Sequence, residues 1–320
     1  MDIGLLTDSV EDLTFDQTLD LANEVGLSCV EFAAGNWSTS PHIDVPALLE
    51  NRRGRAEFLR SVESRGLRIS ALNASGNQLH PRDGKRNDKM VRDIIRLAGE
   101  FGVTTIVLMS GLPGGTPNDQ MPNWITTSWP PETTEMLDYQ WNDVAIPYWH
   151  DLAAFASANG ITRMAIEMHG NQIVFSVPGV LRLRSEIGDI VGANLDPSHL
   201  IWMGADPLRA VTALGSAIYY VHAKDTRVED ASAVRSRLEP LTLPFVDERA
   251  WNFVTVGRGH DFEWWTTFVD TLASVGYDGT LSIEHEDASV SGVDGVREAA
   301  ALLHRVLAQR SAVKSSSVSA

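Results

Sequence analysis

The sequence is almost without cysteine: Cys29 is its only one, so no disulfide can form within the chain, and thiolate metal clusters and CxxC redox motifs are excluded. This scarcity fits a reducing, cytoplasmic setting. Basic residues are also in short supply, with 26 Lys and Arg against 42 Asp and Glu and a formal net charge of −16. Such a balance repels a phosphate backbone or an anionic membrane surface, and no local basic patch offsets it, so nucleic acid and membranes are poor candidate partners. Long apolar runs are missing too. Met1-Asp2-Ile3-Gly4 leads straight into a strand-like run, with neither a basic n-region nor an apolar h-region, so a soluble, unexported protein is expected. No GxGxxG follows that first run, which argues against dinucleotide binding.

What is present is a repeating alternation. Short β-branched or apolar runs at 3–6, 28–33, 67–73, 104–109, 162–168, 190–195, 217–222 and 280–285 predict strands. Helix-period segments near 14–25, 45–65, 87–101, 135–158, 178–187, 205–214, 261–275 and 292–308 lie between them. Gly26, Gly66, Gly102, Gly160, Gly188 and Gly276 stand where each helix must stop before the next strand. Eight such units predict a (β/α)8 TIM barrel in one domain over residues 1–308, followed by a disordered tail at 309–320.

Two segments exceed the usual short connections. Residues 111–134 are rich in Pro and Gly and carry Trp124 and Trp129, whereas residues 228–260 carry Trp251 and Gly257-Arg258-Gly259-His260. Both follow predicted strands, the fourth and seventh, and so belong to the C-terminal face where barrels build their sites. They are candidate lids, although the same tryptophans would also serve simply to pin long loops to the barrel.

Four ionisable residues close consecutive predicted strands: Glu167 in AIEMH, Asp196 in GANLDPSH, His222 in YYVHAKD and Glu284 in LSIEHED. Burying each costs several kcal/mol unless it is paired or bound to metal, so four together call for one shared cation. Three carboxylates and one imidazole favour a hard divalent ion, Mn²⁺ ahead of Mg²⁺ or Co²⁺, with coordination positions left for substrate oxygens. Nearby stand His169, two residues past Glu167 on the same strand face, His199 one turn past Asp196, then Lys224, Asp225, Arg227 and Glu286. The bland alternative for Lys224, Asp225 and Arg227 is a salt-bridged loop. His285 points to the other face and reads as a satisfied histidine behind the barrel wall. Glu31, inside the second predicted strand, has no partner that the sequence can name. Asn73, Ser75, Asn77 and His80, at and beyond the third, are candidate binders of sugar hydroxyls.

The order Glu, Asp-x-x-His, His, Glu on the last four strands resembles the xylose-isomerase-like superfamily of sugar phosphate isomerases and epimerases, over nearly the whole chain to Leu307. The phrases IEMHGN, ANLDPSHLIWMGADP, VHAKDTR and LSIEHED resemble a bacterial branch that includes α subunits of C-glycoside deglycosidases. The resemblance implies one divalent metal on Glu167, Asp196, His222 and Glu284, polarising a carbonyl while a proton leaves the adjacent carbon of a keto-sugar. It further implies β-elimination from a 3-keto-glycoside, with His169 as base and His199, Lys224 and Arg227 binding substrate oxygens. An oligomer is expected, and the deglycosidase branch adds a small β-rich accessory subunit. The runner-up is isomerisation or 3-epimerisation, with Glu167 and Glu284 as acid and base; those epimerases carry another Glu six residues after the first, where this chain has Ile173. A nuclease of the endonuclease IV type is disfavoured, because the fourth strand ends Leu108-Met109-Ser110 without a ligand. A non-catalytic sugar-binding barrel is the remaining alternative, and it predicts no tightly bound metal.

Overall fold

A computed structural model of the chain describes residues 1–239 and 243–318. Its strands are β1 (Asp2–Leu6), β2 (Cys29–Ala33), β3 (Arg68–Asn73), β4 (Thr105–Met109), β5 (Arg163–Glu167), β6 (Val191–Leu195), β7 (Ile218–Ala223), β8 (Asp225–Val228), β9 (Trp251–Val254) and β10 (Thr280–Ile283). Eight of them close a parallel barrel in the order β1-β10-β7-β6-β5-β4-β3-β2. Each expected strand overlaps one of these eight. The six glycines expected to stop helices all have positive φ, between 71° and 110°, a region that residues with a Cβ enter only at a cost.

Alternation along the strands sorts side chains into two cores. Outward positions such as Leu5, Phe32, Leu72, Ile106 and Ile166 pack with the helices into one large apolar layer. Inward, Ala71, Val107, Ala165 and Tyr220 fill the lumen as a small separate cluster, and the Tyr220 hydroxyl lies 2.7 Å from Ser70 Oγ. Two residues further along the same strands stand Asn73, Met109, Glu167 and His222, so period two lifts the lumen from apolar filling to polar groups at its mouth. The β2–β3 register shifts between Val30 and Glu31, and the β6–β7 register between Ala193 and Asn194. Such irregularities re-aim side chains, and Glu31 and Asn194 prove to be supports of the site.

The structure departs from expectation in four places. The helix expected over 45–65 is two helices, Val45–Glu50 and Arg52–Glu63, because Asn51 ends the first and its side chain caps the second through Gly54 N. A short helix, Pro197–Met203, follows β6 directly. The long excursion after β7 is not all loop: β8 and β9 form an antiparallel hairpin, Asp225 opposite Val254 and Val228 opposite Trp251, while its residues 240–242 lie outside the described residues. Finally, the last helix runs from Gly292 to Val318, past the boundary expected at 308. No Gly or Pro interrupts that stretch, and Arg310 pairs with Asp270 at 3.3 Å, so the backbone has no reason to leave the helix there; residues 319–320 lie outside the description. Among the described residues no helix is long and apolar enough to cross a membrane.

Candidate metal centre

Glu167 ends β5, Asp196 follows β6, His222 lies in β7 and Glu284 follows β10, which are consecutive barrel strands apart from the hairpin between the last two. One ligand atom from each lies within 4.8 Å of all the others. Asp196, Glu167 and His222 are at most 2% exposed. His222 Nδ1 stands 3.1 Å from Glu167 Oε2 and 2.8 Å from Glu284 Oε2. Yet among the described residues neither Nδ1 nor Glu284 Oε2 has a hydrogen-bond partner, and the buried Asp196 Oδ2 lacks one as well. Atoms this close that fail to bond one another are aimed at a common point instead, and buried orphan acceptors of this kind fit a cation. Oxygen-rich donors suit a hard divalent ion.

Three members of the quartet are held by neighbours outside it. Asp196 Oδ1 accepts the Ser198 N–H at 2.7 Å and so caps the helix Pro197–Met203, leaving Oδ2 free for the site. Asn194 Nδ2 donates to Glu167 Oε2 at 2.9 Å. Glu31, which had no visible partner in the sequence, is the anchor of His222: both its carboxylate oxygens lie 3.1 Å from His222 Nε2. Asn73 Nδ2 and Ser282 Oγ donate to Glu31 at 2.9 and 2.7 Å and complete its shell. A carboxylate on the far nitrogen puts the imidazole proton on Nε2 and turns the Nδ1 lone pair toward the ligand point.

The charges are out of balance. Glu31, Glu167, Asp196 and Glu284 face one ammonium, that of Lys224, whose Nζ pairs with Glu284 at 3.2 Å and Glu286 at 2.5 Å and lies over the Phe253 ring. Burial pushes the Asp196 carboxyl well above the usual range, and Glu284 and Glu167 push the same way against Lys224. Glu284, also buried, is instead held down to about 2, chiefly by Lys224 and His222. Burial lowers His222, but Glu31 and Glu284 outweigh it and raise it well above the ordinary imidazole value. The strain of this arrangement is what a cation at the common point relieves.

Beside the quartet, His169 and His199 complete a second convergence with Glu167. Burial, with His169 adding to it, lowers His199 to about 3, so its ring is neutral. Its Nδ1 accepts the Trp202 indole N–H at 3.2 Å, which leaves the proton on Nε2, 3.1 Å from Glu167 Oε1. His169 is held the other way round: Nδ1 meets the Gly170 carbonyl, so in the neutral ring Nε2 is the acceptor. Gly170 is required there, since a Cβ would come within 2.5 Å of the Trp202 ring.

A cavity of about 210 Å³ opens over the quartet, lined by Glu167, Glu284, His169, His199, Lys224 and Glu286 together with Asp8, Trp37, Asn73 and Ser75. Arg227, expected to bind substrate, is not there. It lies in β8 with its guanidinium on Glu229 at 2.8 Å and its side chain 49% exposed, because the hairpin's alternation turns it outward. Asp225 is structural, as its Oδ2 accepts the backbone N–H groups of Gly257, Gly259 and His260. Asn77 ties residue 112 through Leu112 N and O, and His80 Nδ1 accepts from Arg82 N and Asp83 N, so neither serves the cavity. His285 sits outside, its Nε2 3.3 Å from Val290 O. Sequence reasoning missed Asp8 and Asn194. Burial pushes Asp8 up to about 6, against a hydrogen bond from Ser38, while the charges of Glu11, Glu284 and Glu31 raise it further. Its position just past the end of β1 was the available signal.

Comparison with known proteins follows the same lines. The family model described as "Xylose isomerase-like TIM barrel" matches residues 19–306. The chain is 42% identical over 313 residues to the uncharacterized protein YfiH of Bacillus subtilis (strain 168), covering 97% of this chain and 100% of that one. Among solved structures, the IolI protein with a bound zinc atom superposes with a TM-score of 0.66 at 15% identity, covering 97% and 99% of the two chains. L-ribulose 3-epimerase superposes with a TM-score of 0.65 at 16% identity, covering 100% and 98%. At these identities the structural likeness is one of fold.

Proposed function

The chain belongs to the xylose isomerase-like TIM barrel family, and from that premise we propose that it is a divalent-metal enzyme that cleaves a 3-keto-glycoside by β-elimination. Glu167, Asp196, His222 and Glu284 would hold the ion, Mn²⁺ by preference. When bound, the ion supplies Lewis-acid polarisation of the substrate carbonyl.

The observation that carries the reading is the state and place of His169. It is no member of the quartet, its Nδ1 is engaged by the Gly170 carbonyl, and it lines the cavity beside Glu167. Its Nε2 takes the proton from the carbon next to the carbonyl, and the C–H electron pair forms the enolate. The enolate then re-forms the carbonyl as a carbon–carbon double bond develops toward the anomeric carbon. The anomeric substituent leaves with the bonding pair and receives the proton that His169 took. The products are an unsaturated keto-sugar and the free substituent, with no oxidant or reductant needed. His199 Nε2–H and the Lys224 ammonium line the same cavity and bind substrate oxygens.

A second reading, 3-epimerisation, is favoured by the placement of Glu167 and Glu284 on either side of His222 Nδ1, at 3.1 and 2.8 Å. Against it, the position where ketose 3-epimerases carry a further Glu is Ile173, buried at 5% exposure with its N–H on the Gly111 carbonyl. The test incubates metal-loaded protein with ketoses, inososes and 3-keto-glycosides in D2O and follows deuterium incorporation and product mass. Loss of the substituent, with His169→Ala retaining metal but turning over roughly 10²-fold more slowly, is expected. Deuterium at an inverted carbon of a free ketose, with near-normal turnover by His169→Ala, would replace this reading by the epimerase. Activity that requires a small β-rich second subunit is compatible with the lyase.

A further inference from the structure

A tryptophan ring usually spends most of its surface on the core, yet Trp37, which lines the cavity over the quartet, is 54% exposed. It stands in the turn that follows β2, and that turn is fastened without help from the ring. Ala34 N donates to the Asn73 carbonyl at 2.9 Å, Trp37 N to the Ser75 carbonyl at 3.0 Å and Asn36 Nδ2 to the Ala74 carbonyl at 3.1 Å. One residue further on, Ser38 Oγ donates to Asp8, just past β1, at 2.9 Å. The backbone takes an uncommon conformation to sit there: Asn36 has a φ of 64°, which a residue with a Cβ adopts only at a cost. Gly76 leaves the room, since a Cβ on it would come within 2.6 Å of Asn36 Cβ. A turn tied by four hydrogen bonds to the exits of β1 and β3 does not need a half-exposed indole as its anchor, so the ring is presented to the cavity.

We propose that Trp37 is the platform on which the substrate sits as a closed six-membered sugar ring, its indole face against a ring face that carries only hydrogens. The proposal rests on the keto-sugar reading above and specifies that substrate as a ring form with equatorial hydroxyls. Three features carry it. The cavity sets one exposed aromatic face among polar side chains, Asp8, Asn73, His199, Lys224 and Glu286. A sugar ring has the matching polarity, with hydroxyls around its edge and C–H groups on its faces, whereas a linear ketose has no apolar face and a flat aryl group would set apolar edges against those charges. The indole also stands beside the proposed base, with the Trp37 and His169 ring centroids 6.1 Å apart and their planes 55° from parallel. A ring seated on it therefore lies next to the imidazole. Finally, an axial hydroxyl on the stacked face would lose its hydration against the indole and lift the ring off it, so the platform selects configuration as well as ring form.

The test reads binding by calorimetry on the metal-loaded full chain and turnover in a separate assay. Its probes are methyl 3-keto-β-glucopyranoside, the corresponding α-anomer and 4-epimer, and erythrulose, a ketose too short to close into a ring. The axial methoxyl of the α-anomer and the axial hydroxyl of the 4-epimer lie on opposite ring faces, so at least one of these two should bind about tenfold or more weakly than the β-glucoside. Trp37→Ala should bring that ratio close to one and Trp37→Phe should keep most of it, with one metal per chain confirming that the site is intact. Trp37→Leu, which keeps apolar bulk without a flat face, is the second variant should Trp37→Ala fail to fold. Equal affinities of the wild type for all three glycosides, tightest binding of erythrulose, or a ratio unchanged in Trp37→Ala and Trp37→Leu would overturn the platform. An axial penalty that vanishes with Trp37, without cleavage of any glycoside, would reject the elimination reading alone. Cleavage without an axial penalty would reject the platform alone.

Discussion

Two cavities, the one over the quartet and a neighbour of about 300 Å³, meet at His169 and His199 but are built by different parts of the chain. The metal cavity is made from strand ends, whose side chains are placed by barrel register and backed by buried partners such as Glu31 and Asn194. The neighbouring cavity is made largely from excursions, the β8–β9 hairpin and the segment carrying Trp124, which barrel closure does not require. The contrast is one of construction: strand ends place the charged cluster by barrel register, while insertions shape the space beside it.

The sharpest break of that division is on the strand side. Asp196→Ala removes a ligand and a helix cap together, so the purified variant should carry no stoichiometric metal by elemental analysis and show no detectable turnover. A variant that stays fully active after exhaustive chelation would sink the metal reading. The matching break on the insertion side is Asp225→Ala. Its carboxylate gathers four backbone N–H groups, those of Thr226, Gly257, Gly259 and His260, together with His260 Nδ1 and Trp265 Nε1. Losing these should cost roughly 2–4 kcal/mol of stability in denaturant titration, with metal content unchanged and faster proteolysis within 228–254. Gly259 belongs to the same anchor, since a Cβ there would meet the Thr226 carbonyl at 2.5 Å. If Asp225→Ala lost metal as readily as Asp196→Ala, the two regions would not be separable.

A finer comparison sets ligands against their supports. Glu31→Gln leaves the quartet in place but weakens the hold on His222, so metal affinity should fall roughly 10–100-fold in a competition titration with a chelator. An unchanged affinity would reduce Glu31 to a filler of the lumen. The smallest effect concerns Asp8, on the wall opposite β5. Its carboxyl is raised from 3.8 to about 6, so the folded state prefers it protonated. The destabilisation from ionising it therefore sets in as pH rises from near 4 and is complete above about 6. In chelated protein, Asp8→Asn should melt a few degrees higher than wild type at pH 7.5, and the gap should close toward pH 4. A gap independent of pH would show that Asp8 already ionises normally.

Much of the candidate metal centre was legible in the chain because its signal is local. A strand exposes every second residue to the lumen, and the end of each strand is marked by the turn that follows, so Glu167, Asp196, His222 and Glu284 announced themselves as polar residues closing apolar runs. His169 followed from the same parity, two residues beyond Glu167. Arg227 misled because it lies close after His222 in sequence, but the chain has by then left the barrel and entered a hairpin with its own alternation. The helix past residue 308 was missed because a run of Ser, Ala and Lys carries neither a stop nor a strong apolar stripe.

The sequence by itself determined the (β/α)8 alternation, the helix-stopping glycines and the four ionisable residues that close consecutive strands, because each depends on residues a few positions apart. Only the tertiary structure decided what those residues touch. Glu31 and His222 are 191 positions apart and become neighbours through closure of the barrel, which also brings Ser282 and Asn73 onto the same carboxylate. Likewise Trp124 and Trp251 read singly as pins for loops, and they form one wall with Trp202 only when three segments are folded over the same barrel mouth. Periodicity is written along the chain, whereas contact between distant segments is set by the closure of the barrel and the packing of its insertions, which no short window of sequence contains.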